Sequence, residues 1–104
     1  MINLHRNSYS SFFAILCEHV ATKKHPILSA VRTKPVHPED SGWQFLCDRA
    51  QNENPEHAKI WLLSEVLEFE PSLEKYINLA PDVKVWREND KAEWHVDSYQ
   101  EREE

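Results

Sequence analysis

Glycine is almost absent from this sequence of 104 residues, which contains only Gly42. A single glycine excludes the glycine-rich loops that hold phosphate groups in nucleotide-binding proteins. The two cysteines, Cys17 and Cys47, are too few for a disulfide framework and lack the short spacing of paired zinc ligands. A single bridge between them and a pair of buried thiols both remain open, and the pair of thiols is favoured.

Basic charge and long apolar runs are also scarce. The sequence has 12 basic and 18 acidic residues, a net charge of −6, which argues against binding to a nucleic-acid backbone and suits a basic protein partner. No segment approaches the roughly 20 apolar residues of a membrane span. The apolar run 12–17 has no small-residue cleavage site after it, so we expect no signal peptide, no membrane partner and a cytoplasmic location.

Hydrophobic residues make up 40% of the sequence, including four Trp, four Phe and three Tyr, which is enough for a core. The length favours a single domain, which we place at residues 1–98. The charged segment 99–104 is expected to be a disordered acidic tail.

The apolar spacing predicts an α+β fold. Three- and four-residue spacing predicts an N-terminal helix over 8–22, and Ser64 and Ser72 are expected to begin two short central helices. Strands are predicted at 27–32, 42–47, 59–62, 83–87 and 92–96, the last two joined by a four-residue loop. These elements predict an antiparallel sheet of four to five strands with the helices on one face.

Segment 38–45 is the most informative part of the sequence. It contains Glu39, Asp40, Ser41, Gly42 and Trp43. Asp and Ser bond their own backbone in tight turns, and glycine reaches conformations that other residues avoid. We therefore expect an acidic turn leading into a strand with one aromatic face. A buried Trp at the start of a hairpin is the favoured interpretation, and a binding region is the alternative.

The tryptophans give a second functional hint. Trp43, Trp61, Trp86 and Trp94 all fall on predicted strands or at their ends, and Trp86 and Trp94 are expected to be cross-strand neighbours. A core cluster is the favoured interpretation. In the alternative, one or two tryptophans line a binding face, where Trp is a frequent hot-spot residue, and Arg87 fits either interpretation.

The sequence gives only weak signals of a catalytic or metal-binding site. His37 lies in a proline-rich loop and is expected to be solvated, although His37 with Glu39 or Asp40 would be the acid and base of a rival, enzymatic interpretation. Ser41 lacks the strand–turn–helix context of a nucleophile elbow. We therefore predict no enzyme, no catalytic residue, no metal and no cofactor.

The order of three motifs resembles the bacterial immunity protein thirty-three family over about residues 27–97. The motifs are the acidic-Ser-Gly-Trp segment 40–45, the segment 60–66 leading into Glu-Pro-Ser-Leu at 70–73, and the segment 79–87. Asp82 and Val83 stand where members often carry glycine, so the start of the last hairpin is expected to differ in shape. The helix predicted over 8–22 does not align with the family.

The resemblance implies binding rather than catalysis. Such a protein would neutralise a cognate toxin by stoichiometric binding, blocking its active site or substrate face. The binding residues we predict are Glu39, Asp40, Ser41, Gly42 and Trp43, with Trp86 and Arg87 as second choices. A small ligand-binding or regulatory domain that uses the tryptophans as a pocket wall is the alternative, a self-associating module is a further one, and the oligomeric state stays open.

Overall fold

A computed structural model describes residues 12–47 and 57–99, which contain six strands and three short helices. The strands are β1 (Phe13–Leu16), β2 (Ser29–Arg32), β3 (Asp40–Leu46), β4 (Lys59–Leu62), β5 (Val83–Trp86) and β6 (His95–Ser98). The helices are α1 (Glu18–Lys23), α2 (Leu63–Phe69) and a 3₁₀ helix (Pro71–Tyr76). The α+β class is therefore confirmed. Most of the segment between the strands predicted at 42–47 and 59–62, and the tail apart from Tyr99, lie outside the described residues.

The six strands form one mixed sheet in the order β4-β1-β3-β2-β5-β6. Strand β1 runs parallel to β3, whereas every other neighbouring pair is antiparallel. The predicted antiparallel sheet of about four to five strands is therefore only roughly matched, because the sheet has six strands and its β1–β3 pair is parallel. The antiparallel pairing predicted for β2 and β3 is confirmed.

The helix predicted over residues 8–22 is wrong at residues 12–17 and correct at 18–22, which belong to α1; residues 8–11 lie outside the described part. Residues 13–16 form β1, in which exposed and buried side chains alternate, and α1 begins only at Glu18. The strand lies between β3 and β4 and is hydrogen-bonded to both. Pairing on both sides gives the backbone groups of this short segment their partners, and this outweighs its helix-like apolar spacing.

The sheet has one face covered by the helices. Side chains on this face, with those of the helices, form the core, which includes Ala14, Leu16, Val20, Ala30, Trp43, Phe45, Leu63, Val66, Leu73, Ile77, Val83 and Val85. The arrangement of helices on one face is as predicted. The opposite face carries the alternate residues of each strand, among them Phe13, Ile15, Ile60 and Trp86.

The two central helices form close to the predicted positions. Helix α2 begins at Leu63, one residue before the expected Ser64, and the Glu65 carboxylate accepts the Leu62 N–H at 2.9 Å.

In the described ranges no helix is both long enough and apolar enough to cross a membrane.

The register of the hairpin differs from the prediction. Trp86 pairs with His95, and residues 87–94 connect the strands where a four-residue loop was expected. Trp86 and Trp94 are therefore not cross-strand partners. The Arg87 guanidinium lies 4.2 Å from the centroid of the Trp94 ring, and the Trp94 Nε1 donates to the Ser72 Oγ at 2.9 Å. These contacts hold Trp94 outside the strand and delay the start of β6.

Candidate binding surface

The acidic turn lies slightly earlier than predicted, at residues 36–39, and Asp40 already belongs to β3. One Asp40 oxygen accepts the Gly42 N–H at 2.8 Å and the other accepts the Val36 N–H at 3.4 Å. The Ser41 Oγ accepts the Trp43 N–H at 3.2 Å. Both side chains thus bond nearby backbone, as expected of Asp and Ser before a glycine. Glu39 and the rest of the turn are exposed to solvent.

Gly42 is required by the backbone at this position. Its φ is +83°, and a Cβ placed on it would lie 2.2 Å from the carbonyl oxygen of Thr33. The pairing of β1 with β3 is irregular here, because Phe13 pairs with Asp40 while Ile15 pairs with Gln44. The glycine therefore lets β3 bend while it stays paired to β2, where the Thr33 N–H donates to the Gly42 oxygen at 3.0 Å.

Trp43 is buried, with 1% of its surface exposed, and its Nε1 donates to the Ile77 carbonyl at 3.1 Å. Arg32 lies 5.8 Å from the centroid of the Trp43 ring. The Arg32 Nε donates to the Ser41 carbonyl oxygen at 2.9 Å, and the Arg32 Nη1 donates to the Leu79 carbonyl oxygen at 2.7 Å. Partial burial lowers the pKa of the Arg32 guanidinium. Trp43 and Arg32 together join β2 and β3 to the segment that follows the 3₁₀ helix.

Arg87 is buried at the end of β5 and contacts three different parts of the chain. Its Nη2 lies 2.9 Å from the Glu70 carboxylate. Its Nε donates to the Ile27 carbonyl oxygen at 3.1 Å, and its Nη1 lies 3.4 Å from the Asp90 backbone carbonyl oxygen. A buried guanidinium with several partners positions the elements around it. Its contacts among the described residues are internal, so any effect on a partner would pass through these elements.

Trp86 differs from Arg87 because it lies on the face opposite the helices. Its ring stacks on His95 with centroids 4.5 Å apart, and its Nε1 donates to the Asp97 carboxylate at 2.8 Å. His95 and Asp97 are both exposed. This aromatic and polar group lies near the β6 edge of the sheet, away from the acidic turn.

Sequence reasoning missed a group of exposed apolar side chains on β1 and β4. Phe13 pairs with Leu62 and Ile15 with Ile60 across these strands, and all four side chains lie on the helix-free face. Their exposed fractions are 44% for Phe13, 37% for Leu62, 39% for Ile15 and 67% for Ile60. We call these four residues the apolar patch. The signal in the sequence was the run of apolar residues in 13–16, whose alternate members face opposite sides of a strand, and the predicted helix obscured it.

The apolar patch adjoins the acidic turn. The Phe13 N–H donates to the Glu39 backbone carbonyl oxygen at 2.7 Å, and Phe13 pairs with Asp40. Val36, in the same turn, is 79% exposed. The structure thus brings Glu39 and Asp40 to one end of the patch, while Ser41, Gly42 and Trp43 lie beneath the surface.

A separate hollow of 790 Å³ lies beside the 3₁₀ helix, where Trp94 and the buried Arg87 meet. It is lined by Pro71, Ser72, Glu74, Lys75, Tyr76, Arg87, Ala92, Glu93 and Trp94. Arg87, one of the predicted binding residues, therefore lines this hollow and does not belong to the apolar patch.

Comparison with known proteins yields one family. The family model of the immunity protein Imm33 domain matches residues 14–97, a range that includes α1 and most of β1 as well as the motifs of the acidic turn and the last hairpin. No curated protein and no solved structure matches the chain. Immunity proteins act in general by neutralising toxins and not by catalysis. Because the match covers most of its length, this chain belongs to the immunity protein Imm33 domain family.

Proposed function

We propose that this protein protects its own cell by binding one cognate toxin stoichiometrically in the cytoplasm and blocking the toxin's active site or substrate face. The observation that carries the proposal is the apolar patch, four large apolar side chains exposed on adjacent strands of a chain from an immunity family. Exposed apolar side chains gathered on one face are typical of protein interaction sites.

The apolar patch has the chemistry of an interface centre. Full burial of an aliphatic or Phe side chain contributes about 1.5–3 kcal/mol, and these four side chains, which are 37–67% exposed, have about half of that left to gain, so they can serve as anchors within a larger interface. A specific interface buries about 800 Å² on each partner, more than four side chains provide. The remaining area would come from a polar rim, of which the acidic turn is the nearest part.

Charge favours a basic partner. Glu39 is exposed beside the patch, and the net charge of the chain is −6. Complementary charge raises the rate of association, and burial of apolar anchors slows dissociation. In this proposal Glu39 and Asp40 contact the toxin, and Ser41, Gly42 and Trp43 shape the turn from inside. Trp86 provides a second contact region on the same face, and Arg87 supports it through β5.

The experiment is capture of the tagged protein from its own cells, followed by expression of the captured partner alone and together with this protein. We expect a partner near one-to-one that stops growth when expressed alone and is tolerated when both are expressed. A partner that is harmless alone, or that kills equally well in the presence of this protein, would rule out the immunity function.

The hollow beside Trp94 supports the alternative of a small ligand-binding domain. Trp94 lies over the Arg87 guanidinium at the wall of this hollow, so a bound anionic or aromatic metabolite would change its fluorescence. We would screen a metabolite panel by tryptophan fluorescence and repeat positive signals on Trp94→Phe. Saturable signals that disappear in Trp94→Phe support the alternative, and a flat response in the original protein counts against it.

A further inference from the structure

Two thiols that are 30 residues apart in the sequence, and an imidazole close to the first of them, meet at the ends of two parallel strands. Cys17 follows β1 directly, and Cys47 follows β3 directly. Because β1 and β3 are parallel neighbours, these ends lie side by side, and the Cys17 N–H donates to the Phe45 oxygen at 3.1 Å. His19, in the first turn of α1, is the third member, and the ligand atoms of all three residues lie within 4.8 Å of one another.

The distance between the two sulfurs fits coordination to one ion. The Sγ atoms of Cys17 and Cys47 are 3.7 Å apart, which is too long for the roughly 2.05 Å bond of a disulfide. Two thiolates, each about 2.3 Å from a tetrahedral zinc ion, stand about 3.8 Å apart. The arrangement also allows the Cys17 thiol to donate a weak hydrogen bond to the Cys47 sulfur, and this is the competing state.

The burial of the three residues and the charge of the two thiolates also suit a divalent metal ion. Both cysteines are buried, whereas His19 is half-buried, so the cluster has one side that solvent can reach. Two thiolates balance the charge of a divalent ion, which removes most of the cost of burying it. The His19 ring stacks on His25 with centroids 5.7 Å apart, and this contact restricts its orientation.

We infer that Cys17, His19 and Cys47 form a binding site for Zn²⁺, with water at the fourth position. Sulfur and imidazole ligands in this combination select thiophilic ions with tetrahedral geometry over Mg²⁺ or Ca²⁺. Zn²⁺ displaces the two thiol protons as it binds, so its affinity falls in acid. The ion joins α1 to the ends of β1 and β3, and it acts independently of the apolar patch.

The test is zinc and cobalt binding by the purified full chain, kept reduced with a phosphine. We expect about one equivalent of zinc per chain after gel filtration, and a thiolate-to-cobalt charge-transfer band with Co²⁺. At a zinc concentration a hundredfold above its dissociation constant, the Tm should rise by about 11–22 °C. Zinc should also protect both thiols from a thiol-modifying reagent.

Variants locate the ion. His19→Gln changes a half-buried residue and should weaken zinc binding at least about tenfold, and Cys47→Ser should abolish the cobalt band. His37→Gln removes an exposed imidazole from the acidic turn and should bind zinc as the original protein does. If Cys47→Ser does not fold, zinc binding by His19→Gln and zinc protection of the thiols in the original protein still test the site. Less than about a tenth of an equivalent in the original protein, or equal binding by His19→Gln and His37→Gln, would overturn the site.

Discussion

Gly42 shows how one residue determines the shape of the acidic turn. Its φ is positive, and a Cβ at this position would collide with the Thr33 oxygen, a backbone atom that cannot rotate away. Asp40, Ser41 and Trp43 are held in place by the same bend through bonds to backbone groups. The turn that reaches the apolar patch therefore depends on the absence of a single methyl group.

Replacement of Gly42 by Ala should lower the free energy of unfolding by about 2–4 kcal/mol, because strain at positive φ adds to a steric clash with backbone. Urea unfolding followed by tryptophan fluorescence measures this change. Gln44→Ala, two residues along the same strand, is the control and should cost less than about 1 kcal/mol. An equal effect of the two substitutions would contradict the steric account.

Local chemistry made the acidic turn predictable. Asp40, Ser41 and Gly42 have preferences that act within two or three residues, so the bend and the buried Trp43 followed from the sequence. The roles of Arg32 and Arg87 did not, because their partners Leu79, Ile27 and Glu70 are far away along the chain. The same reason hid the cluster of Cys17 and Cys47, which only the pairing of β1 with β3 brings together.

Strand β1 is the element on which the arrangement of the sheet depends. It joins β3 in parallel and β4 in antiparallel pairing, and its two sides contribute to different surfaces. Ala14 and Leu16 belong to the core, while Phe13 and Ile15 belong to the apolar patch. Its spacing also fits a helix, and a run of four apolar residues cannot distinguish the two. Only the pairing of this segment with β3 and β4, which are distant in the sequence, makes it a strand and not a helix.

Alternation in β1 predicts different effects of neighbouring substitutions. Leu16→Ala removes a fully buried side chain and should lower the free energy of unfolding by about 2–5 kcal/mol. Ile15→Ala removes a side chain that is 39% exposed and should cost less, about 1–2 kcal/mol. Thermal or urea unfolding of both variants measures the difference, and similar losses at the two positions would favour a helix buried along a wide stripe.

The last hairpin shows a second limit of sequence reasoning at this scale. Strands at 83–87 and 92–96 alternate well, yet β6 begins only at His95. Trp94 is held by Arg87 and Ser72, so a tertiary contact sets the register. Trp86 consequently meets His95 and Asp97 on the helix-free face.

At the scale of the whole molecule, the two faces of the sheet differ: one is structural, and the other is the face that we propose binds the toxin. One face packs the helices and buries Trp43 and Ser41, while the other exposes the apolar patch beside Glu39. Under the proposed function, this second face is apolar because it contacts the toxin. The family could be anticipated from the motif around Trp43, but the exposed face could not, because it needs the direction of every side chain in β1 and β4.

The most direct test is the affinity of purified variants for the captured toxin, measured by calorimetry. Ile60→Glu places a charge in the apolar patch, and Val96→Glu places the same charge on an exposed aliphatic residue of β6, on the other face. Both should keep the Tm of the original protein within a few degrees. We predict that Ile60→Glu weakens binding about a hundredfold or more and abolishes protection, while Val96→Glu changes neither. Full affinity and protection in Ile60→Glu would contradict the assignment of this face to the toxin.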